Sequence, residues 1–268
     1  NEKVQQAMLL QNKLKVGVAS NEFENYYQPI VDTKNKKTVG FEMLMRWQSD
    51  NQFISPVTFI PIAEQIGLIV EMTIQAIERG LADVAKWYEQ GFDGYMAINL
   101  SAKQFSTRPD FEKILQLLKD YALPASCLRF EITEGLLVDN NHHTLDYMHE
   151  MRALGFKISL DDFGTGYSSL RYLKDFPIDV LKIDKSFVDD IGIDKGTESI
   201  IESTLIMTKM LNMDTVAEGI ETKLQVDYFS KTDCHFLQGF YFSKPVSHGQ
   251  CFKLLQKDWS YKFSSQLE

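Results

Sequence analysis

Strand-like and helix-like segments alternate along nearly the whole of this 268-residue chain. Runs rich in β-branched and aromatic residues predict eight strands, at Asn25 to Val31, Thr38 to Trp47, Tyr95 to Leu100, Leu128 to Thr133, Phe156 to Leu160, Asp179 to Ile183, Asp214 to Ala217 and Phe236 to Phe242. Amphipathic segments predict helices between most of them, at Leu68 to Tyr88, Phe111 to Leu118, Leu145 to Leu154, Ile200 to Leu211 and Cys251 to Leu255. This alternation is typical of parallel α/β proteins, and eight strands favour a (β/α)8 barrel.

One connection departs from the barrel pattern. Only Asp32 to Lys37 separates the first two strands, and a parallel crossover needs about a dozen residues or more. The predicted fold is therefore an α/β, modified (β/α)8 TIM-type barrel whose first strand runs antiparallel. Because no internal repeat or linker is visible, we expect one barrel domain over residues 21–268. Residues 1–20 are expected to form a leading helix that caps the barrel or joins it to an upstream region.

Composition limits the classes of function. The net charge of −9 argues against nucleic-acid binding, although an acidic protein can bind a phosphate ester through metal ions. Three scattered cysteines indicate reduced thiols rather than disulfides or a zinc site. No apolar stretch approaches the ~20 residues of a membrane span, and the first residues lack a signal peptide and an initiator Met. We expect a domain of a longer protein, located in the cytoplasm or on the cytoplasmic side of a membrane-attached protein.

Two adjacent aspartates, Asp161 and Asp162, lie between an apolar run and the glycine-rich segment Phe163 to Gly166. Burying a carboxylate at a strand end is costly unless a cation or several hydrogen bonds compensate it. Two carboxylates in a row, followed by a turn that lets backbone approach a ligand, indicate a site for divalent metal.

Other predicted strands also carry polar residues at or near their ends, namely Glu42, Asn99, Glu131, Lys182, Glu218 and Gln238. A single residue of this kind more often lies on a solvated face or in a buried hydrogen-bonded network. Together they are hard to explain by solvation, because strand ends of a barrel converge on one mouth. The five carboxylates and one lysine leave a charge of −4, which two divalent ions would neutralise. Carboxylate and amide oxygens suit Mg²⁺, Mn²⁺ or Ca²⁺ better than zinc.

Nine segments, in this order, resemble the EAL-domain family of bacterial cyclic di-GMP phosphodiesterases. They are Tyr27 to Val31, Phe41 to Trp47, Phe59 to Glu64, Asn99 to Ser101, Glu131 to Glu134, Asp161 to Ser169, Lys182 to Asp184, Val216 to Thr222 and Gln238 to Gly239. Each segment alone is weakly specific, but the ordered set is very specific. The family fold is a barrel with an antiparallel first strand, in agreement with the short connection.

The resemblance implies a two-metal hydrolase that opens cyclic di-GMP to linear pGpG. One Mg²⁺ or Mn²⁺ ion would be bound by Glu42, Asn99, Glu131 and Asp161, and the second by Asp161, Asp162 and Glu218. Ca²⁺ is expected to inhibit, because its larger size would misplace the attacking water.

The resemblance also assigns roles around the metals. Glu218 would be the general base, Lys182 would orient the water and stabilise phosphoryl charge, and Gln238 would hold the water network. Glu134 would anchor the loop at Gly164 to Gly166 that carries Asp162. The residues implied in substrate contact or its support are Gln28, Leu44, Arg46 and Glu221.

The family further implies a homodimer and an upstream sensor or GGDEF-type domain. Two positions depart from its pattern. Met43 stands where the signature has Ala, and a strand would turn it away from the face of Glu42, so we expect altered packing rather than a lost ligand. Gly135 is atypical after the Glu131 motif, and its added backbone freedom would loosen the loop anchor.

The sequence leaves alternatives to hydrolysis of cyclic di-GMP open. One alternative is a weak or inactive family member that binds cyclic di-GMP as a receptor, although every implied metal carboxylate is present. Another is a scaffold that only docks to a protein partner. Hydrolysis of a different phosphodiester also stays open, because metal ligands alone do not define the substrate. A kinase interpretation of Asp162 to Gly164 is excluded, since no glycine-rich strand pair or HRD-type segment accompanies it.

Overall fold

The computed structural model describes residues 2–50, 52–107, 110–138, 142–164 and 170–264. Its strands are β1 (Phe23–Asp32), β2 (Thr38–Ser49), β3 (Gln52–Ile54), β4 (Tyr95–Asn99), β5 (Leu128–Thr133), β6 (Lys157–Phe163), β7 (Val180–Ile183), β8 (Asp214–Ala217), β9 (Phe236–Gln238) and β10 (Val246–Ser247). Its helices are α1 (Glu2–Ala19), α2 (Pro56–Ile66), α3 (Ile69–Glu89), α4 (Ala102–Thr107), α5 (Phe111–Asp120), α6 (Glu134–Val138), α7 (His142–Ala153), α8 (Leu170–Asp175), α9 (Lys185–Asp189), α10 (Lys195–Met210), α11 (Lys223–Phe229), α12 (His248–Cys251) and α13 (Ser260–Phe263).

Eight strands close into a barrel in the order β1-β9-β8-β7-β6-β5-β4-β2, and β2 returns to β1. β1 is antiparallel to both of its barrel neighbours, β2 and β9. All the other neighbouring pairs of the barrel are parallel. The short strands β3 and β10 pair outside the barrel with β2 and β1. The predicted α/β barrel with a reversed first strand is confirmed.

Apolar side chains fill the barrel below the polar strand ends and cover it from outside. The interior cluster includes Ile30, Tyr95 and Val216. Gly40 is needed here, because a Cβ at this position would lie 2.6 Å from the Tyr95 ring. A much larger cluster packs the outer faces of the strands against the helices. The polar strand ends therefore rest on a rigid, apolar base.

The leading helix predicted for residues 1–20 is present as α1 and packs on the barrel. Leu14 and Val18 are buried in a second apolar cluster with Trp47 of β2 and Phe59 of α2. Gly17 lies against the Trp47 indole, where a Cβ would come within 2.9 Å of Nε1. None of the described helices has the length and apolar character that crossing a membrane requires.

Most predicted elements differ from the observed ones by a few residues at their ends, and two of these differences affect how the chain packs. The helix predicted over Cys251 to Leu255 is wrong, because α12 ends at Cys251. The carbonyl of Leu254 instead accepts a hydrogen bond from Thr38 Oγ1 at 2.7 Å. The last barrel strand ends at Gln238 rather than Phe242. Gly239, the next residue, lies directly on the backbone of Ile220, which precedes α11. A Cβ at Gly239 would lie 2.1 Å from the Ile220 carbonyl oxygen.

Candidate active site

The predicted polar residues converge at the mouth formed by the carboxyl ends of the parallel strands. They come from β2, β4, β5, β6, β7, the residue after β8, and the end of β9, namely Glu42, Asn99, Glu131, Asp161, Asp162, Lys182, Glu218 and Gln238. The contacts described below join Lys182 to Glu131, Asp161 and Glu218, and Glu42 to Asn99 and Gln238, whereas for Asp162 they give its backbone N–H bound to Asp161.

Lys182 is the centre of an ionic cluster. It is 1 % exposed, and its Nζ lies 2.7 Å from Glu131 Oε2, 2.6 Å from Glu218 Oε1 and 3.4 Å from Asp161 Oδ1. Three carboxylates, from β5, from β6 and from the residue after β8, therefore share one ammonium. Buried charges persist only with such compensation, so this lysine stabilises the cluster.

Glu42 has both carboxylate oxygens engaged by amides. Asn99 Nδ2 donates to Oε1 at 2.7 Å, and Gln238 Nε2 donates to Oε2 at 2.6 Å. Gln238 Nε2 also lies 3.3 Å from Gln28 Oε1, and Gln28 Nε2 donates to the Ser243 carbonyl at 3.2 Å. Gln238 Oε1 is buried with no hydrogen-bond partner among the described residues, so it can accept from a water or bind a cation.

The two adjacent aspartates lie within an irregularity of β6. The register of β6 on β7 shifts between Leu160 and Phe163, and Asp162 adopts φ 55° in the left-handed region. Asp161 Oδ1 accepts from the Asp162 backbone N–H at 3.0 Å. Such irregularities re-aim side chains near active sites. In regular strand geometry the two carboxylates would point to opposite faces.

The crowding of carboxylates changes how readily they ionise. Burial, with the nearby charges of Asp161 and Glu42, raises the pKa of Glu218 to about 8 against the opposing effect of Lys182. Burial likewise raises the pKa of Glu131 well above its usual range. Burial alone would lower the pKa of Lys182, but the surrounding carboxylates raise it well above its usual value. The cluster thus has more negative charge than one lysine neutralises.

The donors fit a divalent cation in their chemistry. They are hard oxygens from carboxylates and amides, with an excess of negative charge and an unpartnered amide oxygen on Gln238. In the part of the chain that is described, no group of three or more His, Cys, Asp or Glu side chains is already arranged to hold a metal ion. Lys182 Nζ lies among three of these carboxylates, those of Glu131, Asp161 and Glu218.

Two cavities flank the Glu42–Asn99 contact. The larger, of about 390 Å³, is lined by residues that include Leu44, Arg46 and Asn99. The smaller, of about 270 Å³, is lined by Gln28, Glu42, Lys185, Glu218, Gly219, Glu221, Gln238, Gly239 and Phe240. The four predicted substrate-contact residues are therefore divided, with Leu44 and Arg46 on one side and Gln28 and Glu221 on the other. Partial burial lowers the pKa of Arg46, although Glu42 and Tyr26 oppose this effect.

Glu134, the predicted anchor of the glycine-rich loop, contacts the first glycine of that loop. Glu134 begins α6, and its Oε2 accepts a hydrogen bond from the Gly164 backbone N–H at 3.3 Å. Gly164 has φ 95°, and a Cβ there would lie 2.7 Å from the Phe187 ring. Gly135 has open space at its Cβ position. Residues 165–169, which include the rest of the predicted loop, lie outside the described residues.

Sequence reasoning missed two residues of the smaller cavity. Lys185 Nζ donates to Glu221 Oε1 at 2.9 Å, and Phe240 exposes 52 % of its surface at the rim. The signals were a second lysine three residues after Lys182 and an aromatic residue two after Gln238. Neither differs in pattern from an ordinary surface residue.

Comparison with known proteins gives consistent matches. The EAL domain family model matches residues 11–245. Signaling protein YkoW of Bacillus subtilis (strain 168) is 39% identical over 234 residues, which cover 87% of this chain and 29% of that protein. Probable cyclic di-GMP phosphodiesterase PdeB of Escherichia coli (strain K12) is 39% identical over 240 residues, covering 88% of this chain and 45% of that protein.

A solved structure gives the same result for the fold. The PaMucR phosphodiesterase in its c-di-GMP complex superposes with a TM-score of 0.85 at 33% sequence identity, covering 90% of this chain and 99% of that one. The chain spans less than half the length of both curated relatives, 29% of YkoW and 45% of PdeB.

Proposed function

The chain belongs to the EAL domain family, and on that premise we propose that it is a phosphodiesterase that hydrolyses cyclic di-GMP to linear pGpG. The observation that carries the proposal is the buried cluster of Glu131, Asp161 and Glu218 around Lys182. A scaffold that only docks to a partner has no use for uncompensated buried carboxylates, which are costly to keep.

Divalent cations complete the site in this proposal, as expected for a family known to use them. Glu42, Asn99, Glu131 and Asp161 would bind one Mg²⁺ or Mn²⁺ ion, and Asp161, Asp162 and Glu218 the other. Bound ions of this kind supply a nucleophilic water at neutral pH and polarise the phosphoryl oxygen.

The chain's own residues do the positioning. Asn99 and Gln238 fix both oxygens of Glu42, so that carboxylate has one orientation before the substrate arrives. Glu218, whose Oε1 lies 2.6 Å from Lys182 Nζ, is the carboxylate that we assign to take a proton from the attacking water. Lys182 carries the positive charge that would stabilise the phosphoryl oxygens as the bond breaks.

The cavities on either side of Glu42 favour a substrate with two similar halves. One half of a cyclic dinucleotide would lie against Leu44 and Arg46, and the other against Gln28 and Glu221. The larger cavity is mainly apolar around Leu44, as a purine face requires. Arg46 supplies a cation for a phosphate on that side.

The proposal is tested by incubating the purified chain with cyclic di-GMP in Mg²⁺ or Mn²⁺ and following pGpG formation, with EDTA as the metal-free control. Asp161→Asn should reduce turnover by roughly two orders of magnitude or more, because it removes the carboxylate that would bind both ions, and with it the charge stabilisation that the ions supply in the transition state. Asp233→Asn is the matched control, since Asp233 is an exposed carboxylate paired with Lys209. Ca²⁺ in place of Mg²⁺ should support binding but not turnover.

Each other outcome has a defined meaning. Tight binding without turnover in any metal would identify a receptor rather than an enzyme. The absence of both binding and turnover would contradict the choice of substrate. Equal turnover by Asp161→Asn and the parent chain would contradict the assignment of the metal site.

A further inference from the structure

The smaller cavity has one cation at its rim that the proposed reaction does not use. Lys185 is the first residue of α9, and its Nζ lies 2.9 Å from Glu221 Oε1 and 3.0 Å from Asp189 Oδ1. Of the described residues that line this cavity, it alone carries a positive charge, whereas Glu42, Glu218 and Glu221 are acidic. The ammonium therefore reduces repulsion among carboxylates that face the same space.

The stem of Lys185 is fixed by a neighbouring turn. Gly219 follows Glu218 with φ 65°, and a Cβ at Gly219 would lie 2.3 Å from Lys185 Cγ and 2.6 Å from its Cβ. The aliphatic part of the lysine thus lies directly on the Gly219 backbone. With its stem packed and its Nζ bonded to two carboxylates, this side chain has little freedom, although its surface is 44% exposed.

The backbone of Glu221 is fixed independently of the lysine. Gln225 Oε1 accepts from the backbone N–H groups of Glu221 at 2.8 Å and Thr222 at 2.9 Å, and Thr222 caps α11. Only the Glu221 side chain remains to be oriented, and it is 47% exposed. The contact with Lys185 is the one that sets its direction in the described structure.

We propose that Lys185 is a positioning residue that holds the Glu221 carboxylate toward the smaller cavity, where it accepts hydrogen bonds from the base of the substrate. This inference rests on the proposed function and deepens it. Two carboxylate oxygens match two adjacent donors, and the N1–H and exocyclic amino group of guanine provide such a pair. Without the ammonium, repulsion from Glu218 and access to water would turn the Glu221 carboxylate out to solvent.

The prediction for Lys185→Ala is a split between affinity and rate. The KM for cyclic di-GMP, and the Kd measured in Ca²⁺, should rise about tenfold, the effect of losing one charge-assisted hydrogen bond. The kcat should stay within about twofold, because the cluster around Lys182 is not altered. Lys185→Arg should restore most of the affinity, since arginine also pairs with carboxylates.

Two further measurements separate positioning from a general charge effect. In a Glu221→Ala background, Lys185→Ala should raise the KM by less than about twofold, because residues that act through one another are not additive. Cyclic di-IMP lacks the exocyclic amino group, so Lys185→Ala should raise its KM much less than that of cyclic di-GMP. Lys209→Ala is the control, since Lys209 is an exposed lysine paired with Asp233 at 2.7 Å and its loss changes net charge equally.

The inference is overturned by an unchanged KM in Lys185→Ala, by full additivity with Glu221→Ala, or by the same rise in Lys209→Ala. A parent chain that neither binds nor hydrolyses cyclic di-GMP would remove the proposed function, and this inference with it. Normal hydrolysis by the parent together with a normal Lys185→Ala variant would remove the inference alone.

Discussion

A single residue, Met43, separates the signature of this chain from the Glu-Ala-Leu that gives the family its name. Its neighbour Glu42 faces the polar cluster, while Met43 is 5 % exposed and belongs to the main apolar core. A Cβ on Gly80 of α3 would lie 3.3 Å from the Met43 sulfur and 2.6 Å from that of Met96. The helix thus approaches β2 closely, and the methionine fills space that alanine would leave empty.

We therefore predict that Met43→Ala lowers stability more than activity. The free energy of unfolding should fall by about 2–4 kcal/mol, because a buried side chain is replaced by a cavity. The kcat should change by less than about threefold. Chemical denaturation and steady-state kinetics measure the two effects, with Met8→Ala, at a 62 % exposed position, as the control. A large loss of kcat without a loss of stability would mean that Met43 shapes the site directly.

The residues of the cluster could be predicted from sequence because each interrupts or ends an apolar strand. Asn99, Glu131 and Glu218 stand out for that reason alone. Lys185 could not be predicted, because its contact with Glu221 depends on the left-handed turn at Gly219 that brings two loops together. The pairing of Lys182 with three carboxylates could not be predicted either, because the spacing of residues along the sequence does not give the distances between their side chains.

Among the helices and strands, the barrel strands were the easiest to predict from sequence, since their apolar composition reflects burial on both faces. Helix α2 was not predicted, because Pro56 and Pro61 lie within only 11 residues. Pro56 is compatible with a helix start. The interior Pro61 is exposed, and the helix is held across it by the burial of Phe59 and Ala63, which the local pattern does not reveal. The leading helix was predicted, but its contact with Trp47 was not.

Helix α1 supports a testable prediction. Leu14 is fully buried between α1 and the barrel, so Leu14→Ala should lower the free energy of unfolding by about 2–4 kcal/mol. Leu9→Ala is the matched control on the same helix, because Leu9 is 65 % exposed and its loss should cost less than about 0.5 kcal/mol. Equal effects in urea denaturation would show that α1 does not pack on the barrel in solution.

For the whole molecule, the excess of carboxylates predicts stabilisation by divalent ions. An ion that binds only the folded chain adds about 2.7 kcal/mol at a hundredfold excess over its Kd. In a chain of this size that raises the Tm by roughly 5–10 °C. Thermal unfolding in Mg²⁺ and in EDTA at matched ionic strength measures the shift. Combining Glu42→Gln with Asp161→Asn should abolish most of it, whereas an undiminished shift would locate the ions elsewhere.

The reversed direction of β1 has a consequence for attachment. Phe23, where β1 begins, pairs with Trp47 at the mouth end of β2, whereas an all-parallel barrel would start its first strand at the opposite end. Helix α1 therefore reaches the barrel on the same side as Glu42 and Arg46. Any change in how the last turns of α1 pack on Trp47 would therefore act at the mouth end of β2, the strand that carries Glu42 and Arg46, rather than at the base of the barrel.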